Sequence, residues 1–413
     1  MYKYQVKEMT FVNTFRKIVW KFILFSTLVI CLLIISLLPQ FLKAKSFSSI
    51  TNTRYPTDLK YIFIWKPTQK PNRYGGMKVL KYEAGQKIFI KQKCEYINCY
   101  ITYNKSLLRG TEHFDAVVFE GEDLLNVHRK NINLTRVPSQ KYIFRTLESA
   151  GKAPICNDDF DDFFNLTWTH RLDSDIVNPY FDIYSANNTK VGPTKEIQWI
   201  KKMKHDNKLT KRFKTKDRAV AWILTNCKNK NRHQDFVKEL RNELKGYNYS
   251  LDTYGPCSNN KCPQGKTLKC YKMIEKRYFF LLILEEMFEE DYVTDEVVKS
   301  MNHFTIPVVL GGADYNRFLP PGSYINALTF DMKKLGAIID YLIKNRNMYE
   351  YFFDWKNHYH YTRRSRTNVC DLCAKLNSNS SNNSYKNFRK WWNPDYRDSC
   401  QRMSLLSLFE KYV

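Results

Sequence analysis

The sequence predicts an α/β fold in two domains behind a single N-terminal transmembrane helix, and three observations carry that reading. Residues 278 to 284 and 306 to 310 are short apolar runs rich in aromatic and β-branched side chains, and a helical period with Val297, Val298 and Met301 on one face lies between them. Strand, helix, strand is a βαβ unit, which builds parallel sheets whose ligands lie at the carboxyl ends of the strands. The same alternation of apolar runs and amphipathic periods extends over residues 58 to 350, enough chain for two cores. Residues 22 to 42 carry no charge, and about 20 apolar residues span a bilayer.

Taken in order, residues 1 to 21 form a cytosolic tail. Lys3, Lys7, Arg16, Lys17 and Lys21 precede the apolar run, the bias that keeps a short N-terminus inside. The run at 22 to 42 is a signal-anchor; its length, and the lack of a small-x-small site before a clear boundary, argue against a cleaved signal peptide. Residues 43 to 57 are Ser/Thr-rich without apolar period and form a short stem. The chain beyond is then lumenal, and two features agree. Seven N-x-S/T sequons stand at Asn104, Asn133, Asn165, Asn187, Asn248, Asn379 and Asn382. Outside the membrane run ten cysteines remain, an even number that suits an oxidising compartment. Cys94 and Cys99, Cys257 and Cys262, and Cys370 and Cys373 are close in sequence, but spacing leaves their connectivity open. Cys370 and Cys373 lack a second such pair or a suitably spaced His, which disfavours zinc.

The first domain, residues 58 to 205, opens on a strand at 61 to 65 and continues with strands at 114 to 119 and 142 to 147, the last delivering Glu148 at its carboxyl end. A charged linker at 195 to 216 leads into the second domain, residues 206 to 350. There a strand at 219 to 226 runs into a polar loop with Arg232, followed by a helix with Phe236, Leu240 and Leu244 on one face. After the central βαβ unit, with Thr294 at the N-cap position and Gly311 and Gly312 closing the second strand, Leu335, Ile338, Ile339 and Leu342 mark a closing helix. Residues 351 to 413 form a cysteine-bearing tail with Trp391 and Trp392, and no internal repeat stands out.

With 66 Lys and Arg against 41 Asp and Glu, the formal charge is +25. That suits nucleic acid, anionic glycans or nucleotide diphosphates. The basic residues are dispersed, and no zinc-finger, RNP-like or helix-turn-helix pattern accompanies them, which excludes nucleic acid as the leading partner.

The central unit resembles the eukaryotic α-1,3-fucosyltransferases. Glu285, Asp291, Tyr292, Val293, Thr294, Pro307, Val308, Val309, Gly311, Pro320, Pro321, Ser323 and Ile325 match the family's donor-site signature with its spacing intact. Leu284, Glu286 and Met287 replace its Phe, Asn and Ser, Asp295 replaces Glu, and Glu296 stands where the family has Lys. Further matches cover most of residues 58 to 400. Leu147, Glu148 and Ser149 resemble Leu-Glu-Ser-Pro with Ala150 for Pro; residues 170 to 176 with Pro179 and Tyr180 resemble Arg-Arg-Asp-Ser-Asp-Ile…Pro-Tyr; and residues 221 to 227 resemble Ala-Trp-Val-Val-Ser-Asn-Cys, with Arg232 six residues after Asn226.

The resemblance implies two Rossmann-like domains facing a cleft (GT-B type), and a Golgi type II membrane enzyme that moves fucose from GDP-fucose to a GlcNAc of a glycan, α-1,3, with inversion and no obligatory metal. Transfer with inversion needs one carboxylate to take the acceptor proton, and the family's residue matching Glu148 has that task. Arg232 is the expected diphosphate clamp, a guanidinium able to hold phosphate oxygens in pairs. Asn226, Glu285, Tyr292, Thr294, Asp295 and Glu296 complete the expected donor site, Asp295 on the ribose hydroxyls. A carboxylate at position 296 repels a diphosphate, and Lys299 lies near enough along the helix to neutralise it. Glu286, Met287 and Glu296 also support an alternative, a non-catalytic, membrane-anchored glycan- or nucleotide-binding descendant.

Overall fold

In this computed structural model the described residues are 20–21, 23, 26–28, 30, 58–67, 82–125, 127–205, 210–224, 233–263, 266–364, 368–378, 383–397 and 400. Among them no helix is long and apolar enough to cross a membrane. Most of the predicted span at 22 to 42, and all of the stem at 43 to 57, lies outside the described residues. Residues 1–58 with 106–109 form one unit, and residues 59–105 with 110–413 form the other, which carries every sheet.

Six parallel strands build the first sheet. They are β1 (Lys60–Ile64), β2 (Cys99–Thr102), β3 (Ala116–Glu120), β4 (Lys141–Arg145), β5 (Leu166–Thr169) and β6 (Ile176–Val177), in the order β2-β1-β3-β4-β5-β6. β3 and β4 are buried along their whole length, as expected of strands covered on both faces. β7 (Phe181–Ser185) and β8 (Lys190–Gly192) then leave this sheet. The second parallel sheet has β9 (Arg218–Ile223), β10 (Leu251–Tyr254), β11 (Tyr278–Leu284), β12 (Ile306–Leu310) and β13 (Ile325–Asn326), in the order β10-β9-β11-β12-β13.

Both sheets therefore begin with the same 2-1-3-4-5 order, a doubly wound, Rossmann-like topology in which the chain reverses direction across the sheet beside its first strand. The sequence shows no repeat because what recurs is topology rather than residue pattern. In the second half the reversal falls between β9 and β11, and the carboxyl ends of those two strands flank the crevice.

The helix Gln234–Gly246 buries Val237, Leu240 and Leu244, with Phe236 only partly covered, and the helix Met332–Lys344 buries Leu335, Gly336, Ile339 and Leu342. Between β11 and β12 the helix runs Glu296–Met301 and its N-cap residue is Asp295, not Thr294. The shift has a local cause: the Thr294 hydroxyl and N–H both engage Glu285 Oε1, at 3.2 and 2.9 Å, so the hydroxyl is not used as a cap.

The residues expected to be a tail return to the body. β14 (Tyr359–Arg363) pairs antiparallel with β7, making a third sheet, β14-β7-β8. Helix Val369–Asn377 packs on the first sheet through Val369, Leu372 and Cys373, while Phe388 and Trp392 seat against Phe144. Disulfides staple this return: Cys94–Cys370, Cys99–Cys373 and Cys156–Cys400, with Cys262–Cys270 closing a short loop in the second half. Cys257 is disulfide-bonded as well. The close sequence pairs thus do not bond to each other; 94 and 99 reach across to 370 and 373.

Candidate functional site

A cavity of about 280 Å³ opens at the carboxyl ends of β9 and β11. Its floor is Trp222, Ile223 and Leu224 with Leu281 to Leu284; its walls are the loop after β11, Tyr271 and His233; and Glu148, Lys152 and Tyr180 reach it from the first half.

The loop after β11 is fixed at both ends. Its first residue, Glu285, donates its N–H to the Leu310 carbonyl at 2.9 Å, which extends the β11–β12 ladder by one step. Its side chain is buried and takes two hydrogen bonds from Thr294. Burial pushes the Glu285 carboxyl up to about 8; the Thr294 donors oppose the rise, and Glu296 and Glu286 add to it. At the far side, a Cβ on Gly312 would sit 2.5 Å from the Phe288 carbonyl carbon and 2.6 Å from the Glu289 nitrogen. Glycine there is the condition for the loop's close approach to the end of β12.

Beyond Thr294, Asp295 and Glu296 face the cavity at the start of the helix. Asp295 meets Arg363 of β14 at 2.9 Å and Lys299 at 3.8 Å. Glu296 accepts from the Tyr271 hydroxyl at 2.5 Å and from Lys299 Nζ at 2.5 Å. The neutralisation of Glu296 by Lys299 expected from their spacing is therefore present. Tyr292 is buried, edge-on to Tyr180 and His170, and burial holds its phenol well above the ordinary range.

Glu148 arrives from the end of β4. Thr146 Oγ1 accepts the Glu148 N–H at 2.9 Å and donates to Glu122 Oε1 at 2.8 Å, and the Leu147 carbonyl accepts the Tyr180 hydroxyl. These contacts turn the chain so that the Glu148 side chain enters the cavity. Desolvation raises its carboxyl above the usual range; Lys152, 3.6 Å away, pulls it down, while Glu122 and Glu286 push it up. Lys152 also contacts Glu286, the second residue of the loop after β11.

The same loop reaches the first half at three more places. Glu289 accepts the N–H of Ala150 and of Gly151, each at 2.7 Å, one to each carboxylate oxygen. Glu290 lies 3.6 Å from Arg171. Asp291, held at φ 57°, accepts the Leu172 N–H at 3.0 Å and pairs with Arg317 at 3.0 Å. The acidic run is therefore a cross-link between the halves rather than a solvated turn.

Of the residues the sequence singled out, Glu148, Glu285, Tyr292, Thr294, Asp295 and Glu296 all line this one cavity. Asn226 and Arg232 lie outside the described residues. Lys152, Tyr180, Tyr271 and His233 were not anticipated as cavity residues. Lys152 stands four residues after Glu148 in a segment without helical period, so nothing in the sequence marks it; Tyr180 was visible as part of the Pro-Tyr match. Among the described residues no group of three or more His, Cys, Asp or Glu could hold a metal ion.

Four of the seven sequon asparagines, Asn104, Asn133, Asn187 and Asn248, are exposed, and Asn379 and Asn382 lie outside the described residues. Asn165 differs from these: it is buried, and its side-chain oxygen accepts the Tyr142 N–H at 2.8 Å and Arg136 at 2.7 Å, which ties it to the sheet.

With this geometry in view, two family models match the chain: "Fucosyltransferase, N-terminal" over residues 57–181 and "Glycosyltransferase family 10 (fucosyltransferase) C-term" over residues 213–391. The chain is 30% identical over 322 residues to alpha-(1,3)-fucosyltransferase C of Drosophila melanogaster, covering 76% of this chain and 73% of that protein. It is 26% identical over 333 residues to glycoprotein 3-alpha-L-fucosyltransferase A of the same organism, covering 77% of this chain and 59% of that protein. A solved alpha1,3-fucosyltransferase with GDP-fucose overlays with a TM-score of 0.44 at 15% identity, over 81% of this chain and 96% of that one.

Proposed function

The chain belongs to glycosyltransferase family 10, the fucosyltransferases, and on that premise we propose that it transfers fucose from GDP-fucose to a GlcNAc of a glycan in α-1,3 linkage, with inversion. The observation that carries this reading is the meeting in one cavity of Glu148, from the end of β4, with the loop after β11, from the other half. The arrangement has the form of a GT-B enzyme: one half presents a carboxylate, and the other presents the crevice at its switch point.

The mechanism follows from the placement. GDP-fucose lies at the carboxyl ends of β9 and β11, with Tyr292, Asp295 and the loop after β11 around the nucleotide. Glu148 takes the proton of the acceptor hydroxyl as that oxygen attacks the anomeric carbon and the GDP oxygen leaves. A base must be ionised to act, yet a raised affinity for the proton makes the carboxylate a better acceptor near neutral pH; desolvation together with Lys152 gives Glu148 both properties. Charge building on GDP requires donors at the phosphates; Arg232 and Asn226 are the residues assigned to it by their sequence match. The reaction so described draws on no metal.

The chain is read as a Golgi type II membrane protein, anchored by residues 22 to 42 with the catalytic part lumenal. The uncharged run, the basic residues before it, the exposed sequons and the disulfides support that placement. Protease treatment of sealed microsomes should leave all but the short tail protected and glycosylated; digestion of the bulk overturns it.

The activity is tested by incubating the full chain with GDP-fucose and a glycan panel, beside Glu148→Gln. Transfer by the wild type, a loss of ~10²- to 10⁴-fold in the variant and unchanged GDP binding by calorimetry are expected. A variant with near wild-type turnover places the base elsewhere. The second reading, a non-catalytic binding protein, rests on the carboxylates Glu286 and Glu296 in the donor loop, and absence of any calorimetric signal with GDP would favour it.

A further inference from the structure

We propose that Lys152 is a positioning residue for this reaction: held by Glu286 of the opposite half, its ammonium fixes Glu148 in place and keeps it ionised. The inference rests on the reading of Glu148 as the base and adds a residue to which neither the sequence match nor the similarity to known relatives assigns a role.

Three observations carry it. Five carboxylates line the cavity, Glu148, Glu285, Glu286, Asp295 and Glu296, and Lys152 is the one Lys or Arg among its described lining residues. The ammonium stands between two of the five, in contact with Glu286 and 3.6 Å from Glu148 Oε2. Lys299 and Arg363, beside the cavity's other carboxylates, are occupied with Glu296 and Asp295. The partner that anchors Lys152 is also the residue where the resembled signature has Asn, so the carboxylate and the ammonium it holds form a pair peculiar to this arrangement.

The consequence is electrostatic. The groups facing Glu148 are Lys152 on its own loop, Glu122 from the turn after β3, Glu286 from the loop after β11, and the phenols of Tyr180 and Tyr292. Among these described groups, Lys152 is the one that favours the carboxylate. An opposite charge within 4 to 6 Å lowers a carboxyl by roughly one to three pH units, and partial exposure of Lys152 puts the effect at the lower end. Glu286, from the donor half, holds the ammonium and at the same time pulls the Glu148 carboxyl up, so Lys152 offsets the anion that the opposite half brings to the base.

The test is the pH profile of kcat/KM of the full chain with GDP-fucose and the glycan acceptor found for it. The variants are Lys152→Met, Lys152→Arg, Glu286→Gln and Glu148→Gln, each checked for GDP binding by calorimetry. Lys152→Met should move the acid limb up by about one pH unit, and Lys152→Arg should return it to the wild-type position. Glu286→Gln, which removes a neighbouring anion and leaves Lys152 to Glu148 alone, should move it down. A Lys152→Met limb that stays in place while GDP still binds overturns the proposal, as does a Glu286→Gln limb that moves up; where Lys152→Met turns over too slowly for a profile, Glu286→Gln decides. If Glu148→Gln keeps most of its turnover, the base reading itself fails, whatever the lysine variants do.

Discussion

Glu289 offers the sharpest test of how the two halves cooperate. Its two carboxylate oxygens receive the N–H groups of Ala150 and Gly151, both at 2.7 Å, directly after the segment that carries Glu148. Hydrogen bonds to a charged group are worth roughly 1.5–3 kcal/mol each; Glu289 is half-buried, so the lower figure applies and the pair contributes about 3 kcal/mol. Not all of that bears on the reaction. If half of it holds the Glu148 loop in register, Glu289→Ala lowers kcat/KM by about tenfold, since 1.36 kcal/mol is a factor of ten. The contact has a partner that can be deleted without touching Glu289. The resembled motif carries Pro where this chain has Ala150, and Pro has no N–H. Ala150→Pro therefore removes one of the two donors, and a double-mutant cycle isolates the shared term. The expected result is a smaller loss in Ala150→Pro than in Glu289→Ala, and a double variant scarcely worse than Glu289→Ala, with a coupling of ~0.5–3 kcal/mol. Strictly additive losses in kcat/KM, or wild-type turnover in Glu289→Ala, would refute the clamp.

Glu285 predicts a pH dependence of stability. Its folded-state value of about 8 stands above its ordinary 4.5, so the folded chain holds a proton that the unfolded chain releases between these limits, and stability declines as pH rises through that window. Denaturant titrations at pH 5, 7 and 8.5 should show Glu285→Gln with a shallower decline than wild type; equal slopes would remove Glu285 as the cause. Each of the long-range disulfides Cys94–Cys370 and Cys99–Cys373 closes the chain across more than 270 residues, so Cys94→Ser with Cys370→Ser should cost roughly 2–5 kcal/mol. Thermal unfolding of the double variant reads this, and an unchanged midpoint would show that the Val369–Asn377 helix stays docked by packing alone. Glu296→Lys should tighten GDP binding measured by calorimetry. An ion contact at ~4 Å in an effective dielectric near 20 is of the order of 4 kcal/mol before desolvation, and loss of the Lys299 and Tyr271 contacts trims the gain to about tenfold. No gain in affinity means that position 296 does not meet the phosphates.

The parallel strands were legible because burial on both faces leaves them as continuous apolar runs: β3, β4, β11 and β12 coincide with such runs to within a residue or two. β7, β8 and β14 were not, because they are half-exposed and β14 finds its partner about 180 residues earlier in the chain, a pairing that no local period announces. The burial of Asn165 was not legible for a related reason: a sequon is a local pattern, whereas its side-chain oxygen is engaged by Arg136 and Tyr142, which precede it on other elements. Thr294 has the composition of a cap, and Glu285, nine residues earlier, claims its hydroxyl.

Glu148, Glu285, Tyr292, Thr294, Asp295 and Glu296, singled out through the resemblance, line one cavity, but its charge balance was not legible. The formal +25 is a property of the whole chain, whereas the described lining holds five carboxylates and one lysine. Each carboxylate is compensated on the spot. Glu285 keeps its proton near neutral pH and takes two bonds from Thr294; Glu148 and Glu286 share Lys152; Asp295 has Arg363; Glu296 has Lys299 and the Tyr271 hydroxyl. Local compensation of this kind brings the cavity near neutrality, so the excess of positive charge acts on an anionic donor through the field of the whole chain. Attraction by that field weakens as salt rises, whereas the compensated pairs around the cavity are screened far less. Donor capture should therefore fall with ionic strength while turnover at saturating donor holds.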